Sequence, residues 1–139
     1  MDRIYIEKNL VNHPRARKVL ERYPKAHVIE CQHYSEVFNP KTQNFRIQKK
    51  NPALIIAYKQ PKRVLIAPKG FGIGSSENYY FSHLYNCPYD CRYCFLQGMY
   101  SSSNYVWFIN YEDFFTDIQT VIQSNPDKKY TFFAGYDSD

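Results

Sequence analysis

Three cysteines within eight residues constrain this chain more than any other feature. They stand in Tyr85-Asn86-Cys87-Pro88-Tyr89-Asp90-Cys91-Arg92-Tyr93-Cys94-Phe95-Leu96, a C-x3-C-x2-C spacing with an aromatic just before the third cysteine. The fourth, Cys31, lies 56 positions upstream in His-Val-Ile-Glu-Cys, a strand pattern in which it reads as a buried small hydrophobe. The opening Met1-Asp2-Arg3-Ile4-Tyr5 lacks the basic-then-apolar layout of a signal peptide, and no apolar run approaches the roughly 18 residues of a membrane span. The expectation is a cytoplasmic chain with no membrane contact, in which clustered thiols serve as ligands or redox groups rather than disulfides. Three thiolates on one loop suit three irons of a cubane cluster and leave the fourth iron open to an external ligand. Two other readings stay open from the residues alone. One is a structural zinc site with Cys31 or His83 as fourth ligand, although such sites usually pair two C-x2-C elements. The other is core-packed thiols, at odds with the Pro, Asp, Arg and Asn around them.

The rest of the chain alternates strand and helix signals. Arg3–Ile6 alternates like a short strand. Asn12-His13-Pro14 then opens a helix whose Ala16, Val19, Leu20 and Tyr23 form one apolar face until Pro24. Residues 26–31 read as a second strand and 39–44 as a turn. Two short apolar runs follow at 53–58 and 64–67. A glycine-containing joint spans 69–76 and matches no phosphate-loop pattern. Beyond it, 79–84 reads as a strand leading into the cysteines, and 106–109 as another short strand. Asn110 is placed to cap a helix over 111–124 with the apolar stripe Phe114, Phe115, Ile118, Val121 and Ile122. Residues 130–134 are a strand expected to be buried on both faces. The order strand, cysteine loop, helix, strand is the opening of a parallel α/β structure.

Charge divides at the same joint. Residues 1–70 carry 15 Lys/Arg against 5 Asp/Glu, whereas 71–139 carry 3 against 8, and 19 of the 25 aromatics fall in the second part. We therefore expect a basic N-terminal region over 1–70 and the start of a catalytic core over 71–139. A basic region suits a polyanion or a plainly solvated face. Its densest group is Lys49, Lys50, Lys59, Lys62, Arg63 and Lys69.

The motif C-x3-C-x-aromatic-C resembles the signature of the radical S-adenosylmethionine superfamily. The whole chain further resembles the N-terminal part of the spore photoproduct lyase-like family. That likeness rests on an Arg-Ile-Tyr-Ile-Glu opening, a strand–helix–strand preface, a basic stretch and Cys-x3-Cys-x-Tyr-Cys-aromatic-Leu-Gln. A Tyr-Val-x-x-x-Asn-x-Glu-Asp segment and a strand ending near Ser-Asp complete it. The resemblance implies an N-terminal strand–helix–strand region followed by the opening strand–helix–strand of a partial (β/α) barrel. It implies a 4Fe-4S cluster on Cys87, Cys91 and Cys94, with S-adenosylmethionine on the open iron. Tyr93 would lie beside the adenine, and Ser138 and Asp139 would touch S-adenosylmethionine. It further implies reductive cleavage to a 5′-deoxyadenosyl radical, DNA carrying a thymine lesion as substrate, and an electron donor such as ferredoxin or flavodoxin.

Two positions depart from the family pattern. Tyr136 stands where the lyase carries its hydrogen-donating cysteine, and Phe95 where it carries a tyrosine directly after the third cluster cysteine. Both fall on hydrogen return and neither on the cluster. The alternatives are a radical enzyme of other substrate or a non-catalytic iron–sulfur module. The barrel opening is short, so the chain is expected to be incomplete as an enzyme, with at most slow, uncoupled cleavage of S-adenosylmethionine.

Overall fold

Hydrophobic β-branched strands with too few polar positions to face water need cover on both sides, and that requirement organises the molecule. The computed structural model describes residues 1–38, 41, 43–89 and 91–138. Strand β1 (Arg3–Glu7) is followed by helix α1 (Pro14–Arg22), β2 (His27–Cys31), the short helix α2 (Phe45–Gln48) and β3 (Leu54–Ala57). Then come β4 (Leu65–Ile66), β5 (Glu77–Phe81), β6 (Leu84–Tyr85), β7 (Tyr105–Phe108), α3 (Tyr111–Ser124) and β8 (Tyr130–Ala134). Five strands form one sheet in the order β2-β1-β3-β7-β6, parallel except for the β6/β7 pair. The other three form a sheet in the order β4-β5-β8, with β5 and β8 parallel.

Helix α1 starts as the sequence predicts. His13 Nδ1 accepts from Arg15 N at 3.2 Å, and Pro14 occupies the first turn, where its missing N–H is no loss. Ala16 is fully buried and Val19 and Leu20 pack with it against Ile4, Ile6, Leu10, Ile56 and Ile109. Tyr23 turns outward instead. On the opposite side of the sheet, Ile55, Ala57, Val106 and Phe108 pack against Phe114 of α3 and the rings of Tyr34, Phe38, Phe81 and Tyr85. Strand β7, from the acidic half of the sequence, is thus an inner strand beside β3 from the basic half.

Four details differ from the sequence reading. The strand expected over 79–84 breaks at Ser82-His83 into β5 and β6, one in each sheet. The break has a hydrogen-bond cause: the Phe81 carbonyl accepts from Gly135 N (3.1 Å), whereas the His83 carbonyl accepts from Phe108 N (2.9 Å). The chain therefore serves two sheets in turn. On α3, Phe114 is buried, but Phe115 and Ile122 face solvent, so the apolar stripe is narrower than the expected one. Strand β8 is half-buried over Tyr130–Phe133, with Ala134 exposed, not buried on both faces. Asn110 precedes α3 but makes no side-chain cap. It brackets the backbone of Lys59, accepting from Lys59 N (2.8 Å) and donating to Lys59 O (3.1 Å), and it also donates to Asp113.

Among the described residues, no helix is long and apolar enough to cross a membrane. The turn read over 39–44 falls partly outside them.

Candidate functional site

The short strand β6 delivers the chain directly to Asn86 and the first cysteine. Asn86 is buried and adopts a left-handed backbone (φ 62°), which asparagine tolerates better than most residues. Its Nδ2 donates to the carbonyls of Ser102 and Asn104, both at 2.7 Å. These two bonds close the base of the loop carrying the cysteines. Asn104 in turn accepts through Oδ1 from Ala53 N (3.0 Å), which fastens the base to the start of β3.

Helix α2 holds the same loop at two further points through consecutive residues. Gln48 Oε1 accepts from Ser102 Oγ (3.1 Å) and Ser103 N (3.0 Å). Lys49 Nζ donates to Gln97 Oε1 (2.9 Å), and Gln97 Nε2 donates to the Cys91 carbonyl (2.9 Å). Backbone turns tighten the cysteine segment itself, with Cys94 N on Cys91 O (3.1 Å) and Gln97 N on Cys94 O (3.2 Å).

None of the four cysteines forms a disulfide. Cys87 and Cys94 are half-buried and line one cleft of about 200 Å³ with Phe45, Lys49, Asn86 and Ser103 among its other walls. Cys91 is exposed and does not line it. Among the described residues, no three His, Cys, Asp or Glu side chains converge on a metal-sized point. What fits a thiolate-bound cluster is the donor chemistry: three unbridged thiols on one braced loop. The cleft adds a buried polar group to that chemistry. Ser103 Oγ is buried in its wall without a hydrogen-bond partner among the described residues, a condition that buried hydroxyls seldom keep.

Cys31 stands apart. It is buried at the end of β2, and burial pushes its thiol up to about 11, with the nearby Glu7 carboxylate adding to the effect. That places it with the small hydrophobes.

The remaining predicted site residues are distributed differently. Tyr93 is 96% exposed and Phe95 74% exposed. Ser138 is buried in the tight turn after β8, its N–H donating to Gly135 O at 3.2 Å. Gly135 has φ +71°, and a Cβ there would sit 2.7 Å from the Ser138 carbonyl oxygen, so this turn needs glycine. Asp139 lies outside the described residues. Tyr136 is half-exposed, its ring 4.8 Å from that of Tyr80.

A partly buried polar cluster beside this turn is not marked as a site by the sequence. Lys59 follows β3, and its Nζ lies 4.4 Å over the Tyr85 ring and 4.6 Å over the Phe108 ring while bonding Tyr85 OH. Burial lowers the pKa of Lys59, with the buried Asp137 acting against that shift. Burial raises Tyr100 and Tyr85, and the Asp137 charge adds to both. The turn after β8 is thus tied electrostatically to the end of β3 and the exit of the cysteine loop. No motif or period marks these residues, because they meet only when the two sheets come together.

Of the expected basic group, two members are internal. Lys59 is held as described, and Arg63 pairs with Asp117 (Nη2–Oδ1 3.1 Å) and Asp113 (4.0 Å) on α3. Lys49, Lys50, Lys62 and Lys69 stay exposed.

No family model matches the chain, and no curated protein does. Solved structures of spore photoproduct lyase do match. A cysteine-to-serine variant superposes with a TM-score of 0.75 at 18% identity. A variant with bound AdoMet and dinucleoside spore photoproduct gives 0.75 at 18%, and a tyrosine-to-phenylalanine variant gives 0.73 at 19%. Each match covers 99% of this chain and 40% of the lyase chain, so the chain spans about two-fifths of the proteins it resembles. At this identity the likeness establishes the fold: a mixed α/β arrangement with parallel strands, matching the partial radical S-adenosylmethionine fold of those lyases.

Proposed function

We propose that this chain carries the cofactor loop of a radical S-adenosylmethionine protein of the spore photoproduct lyase-like type. One observation carries the reading: a C-x3-C-x2-C loop leaves β6 and leads through β7 to the α3–β8 unit of this fold. Cys87, Cys91 and Cys94 would hold a 4Fe-4S cluster. With S-adenosylmethionine bound, that cluster supplies, on reduction, a 5′-deoxyadenosyl radical for hydrogen abstraction.

The chain's own residues have defined tasks in this reading. Asn86 and Gln97 fix the two ends of the cysteine segment, as outer hydrogen bonds do around metal ligands. Ser103 offers a desolvated hydroxyl to whatever fills the cleft. Ser138, held in the Gly135 turn, would contact S-adenosylmethionine, and Tyr93 would supply backbone contacts to its adenine. A thymine lesion in DNA is the proposed substrate and a ferredoxin or flavodoxin the proposed electron donor. The joint at 69–76 is the proposed boundary between a DNA-facing region and the catalytic core.

A second reading, the same radical chemistry on another substrate, is favoured at two positions. Phe95 has no O–H to give, and Tyr136 replaces a thiol, so hydrogen return must differ from that of the lyase.

Anaerobic reconstitution with iron and sulfide tests the proposal. The expected result is a cluster whose EPR signal changes when S-adenosylmethionine is added. Cys87→Ala, Cys91→Ala and Cys94→Ala should each abolish it, and Cys31→Ala should leave it. An unchanged signal, stoichiometric zinc, or loss of the cluster in a folded Cys31→Ala variant would refute the assignment.

A further inference from the structure

Arg46 on α2 and Lys49 and Lys50 directly after it are all exposed. Lys49 donates to Gln97 and lies 5.9 Å over the half-buried Phe45 ring. Arg46 and Lys50 have no side-chain partner among the described residues. With Phe45 and Lys49 they line a shallow depression that joins the cysteine cleft, because Phe45 and Lys49 line both. Tyr89, 66% exposed, also lines the cleft. The two depressions, sharing the walls of Phe45 and Lys49, thus bring three exposed cations and two aromatic rings together beside Cys87 and Cys94.

Phosphates alone would be satisfied by Arg46 and Lys50. The rings of half-buried Phe45 and exposed Tyr89 add something a paired duplex cannot use, since its bases are already stacked and their faces hidden. Rings interleaved with cations are the arrangement that holds single strands, in which each base offers a π-face and each linkage a negative charge. We infer that this groove binds an unpaired polynucleotide strand, with Arg46 and Lys50 on consecutive phosphodiesters and a base on Phe45. The inference deepens the nucleic-acid substrate proposed above by fixing where the strand enters and in what form. It also excludes Lys59 and Arg63, which are engaged inside the protein, from the phosphate contacts.

The test uses the metal-free chain and a fluorescein-labelled 12-mer oligothymidylate, read by anisotropy across a salt series. Affinity should fall with salt, and each phosphate contact to a single strand contributes about 0.7 to the log–log slope. Arg46→Ala/Lys50→Ala should therefore lower the slope by about 1.4. Lys18→Ala/Arg22→Ala, which removes two exposed cations from α1, should leave it within error. Phe45→Leu keeps apolar volume but loses stacking, and should weaken binding at least about fivefold at unchanged slope. A 12-bp duplex should bind more weakly than the single strand.

The inference is overturned by absent binding, by equal slope loss in both double variants, by duplex bound as well as single strand, or by a neutral Phe45→Leu. Circular dichroism of each variant secures the fold. Because no cluster is present in this assay, failure here leaves the cofactor assignment standing. Binding by a chain that fails to assemble a cluster would instead separate the groove from the radical chemistry.

Discussion

Asn86 offers the cleanest perturbation of the cysteine loop, because its side chain and its backbone contribute separately. Its amide supplies two short bonds to Ser102 and Asn104 carbonyls at a buried site. Its left-handed backbone sets the direction in which the chain enters Cys87. Asn86→Gly removes the amide and keeps the conformation at no steric penalty. Leaving two buried carbonyls without this donor costs about 1–3 kcal/mol each, less where water enters. We expect about 2–4 kcal/mol in total. Asn86→Ala removes the same bonds and also forces a Cβ into the left-handed region, which costs about 1 kcal/mol more after allowance for the greater chain entropy of glycine.

Urea unfolding of the wild type and both variants measures these terms directly. The order of stability should be wild type, then Asn86→Gly, then Asn86→Ala, with the last step worth about 4 °C in midpoint temperature. Amide hydrogen exchange at Ser102–Asn104 should accelerate in both variants. An Asn86→Gly protein within about 0.5 kcal/mol of wild type would refute the bracing role of the amide, being far below one lost buried bond. An Asn86→Ala protein as stable as Asn86→Gly would refute the strain argument.

Other outcomes follow from the same geometry. Gln97→Ala should remove the donor to the Cys91 carbonyl and the Oε1 acceptor of Lys49 together and weaken iron uptake about tenfold or more, as outer-bond losses do; unchanged uptake by iron titration would count against it. Gly135→Ala should destabilise the chain and perturb Ser138, detectable as faster exchange of the Ser138 amide, because the new Cβ meets a carbonyl oxygen at 2.7 Å. Arg15 bonds Glu112 through both nitrogens, at 2.5 and 2.8 Å, and holds the carboxyl down at about 2 against a usual 4.5. A depressed carboxylate contributes its stability in full above 4.5 and loses it as pH falls toward 2, so the gap between wild type and Glu112→Gln should narrow across that window. A constant gap in thermal midpoints from pH 6 to pH 2.5 would exclude the pair as its source.

The legible parts of this fold are those in which one segment carries its own signal. Ile4 and Ile6 alternate with polar neighbours, and Pro14 and Ala16 announce α1, so both elements could be read from local pattern alone. The α3 stripe was only partly legible: Phe114, Phe115, Ile118, Val121 and Ile122 all suit a helix face. Which of them is covered depends on where Phe81 lies, and Phe81 belongs to a strand 33 residues earlier. The split of 79–84 into two strands was not legible either. Nothing local distinguishes Phe81 from His83, and the difference comes from Gly135 and Phe108, which reach their carbonyls from opposite sides.

The candidate site divides along the same line. Cys87, Cys91 and Cys94 announce themselves by spacing, but the groups that brace them do not. Gln48, Lys49, Asn104 and Asn110 are ordinary loop and helix-end residues whose side chains find partners about 50 positions away, and no periodicity records such a pairing. Their distribution has a physical logic. A loop that must present three thiols cannot bury an apolar core of its own, so its order has to come from polar bonds to elements that can. Here those elements are β3 and α2, from the basic half of the sequence, while the loop belongs to the acidic half. Glu7 does the equivalent for the strand ends: buried at the end of β1, it accepts from Tyr34 N (2.9 Å) and Tyr58 N (3.0 Å), tying three segments beside Lys59. The charge reversal near residue 70 therefore separates two stretches of sequence that cross-brace a single site. The basic stretch contributes the side chains that hold the cysteine loop in place, and substitutions in β3 or α2 should reach the thiols as surely as substitutions beside them.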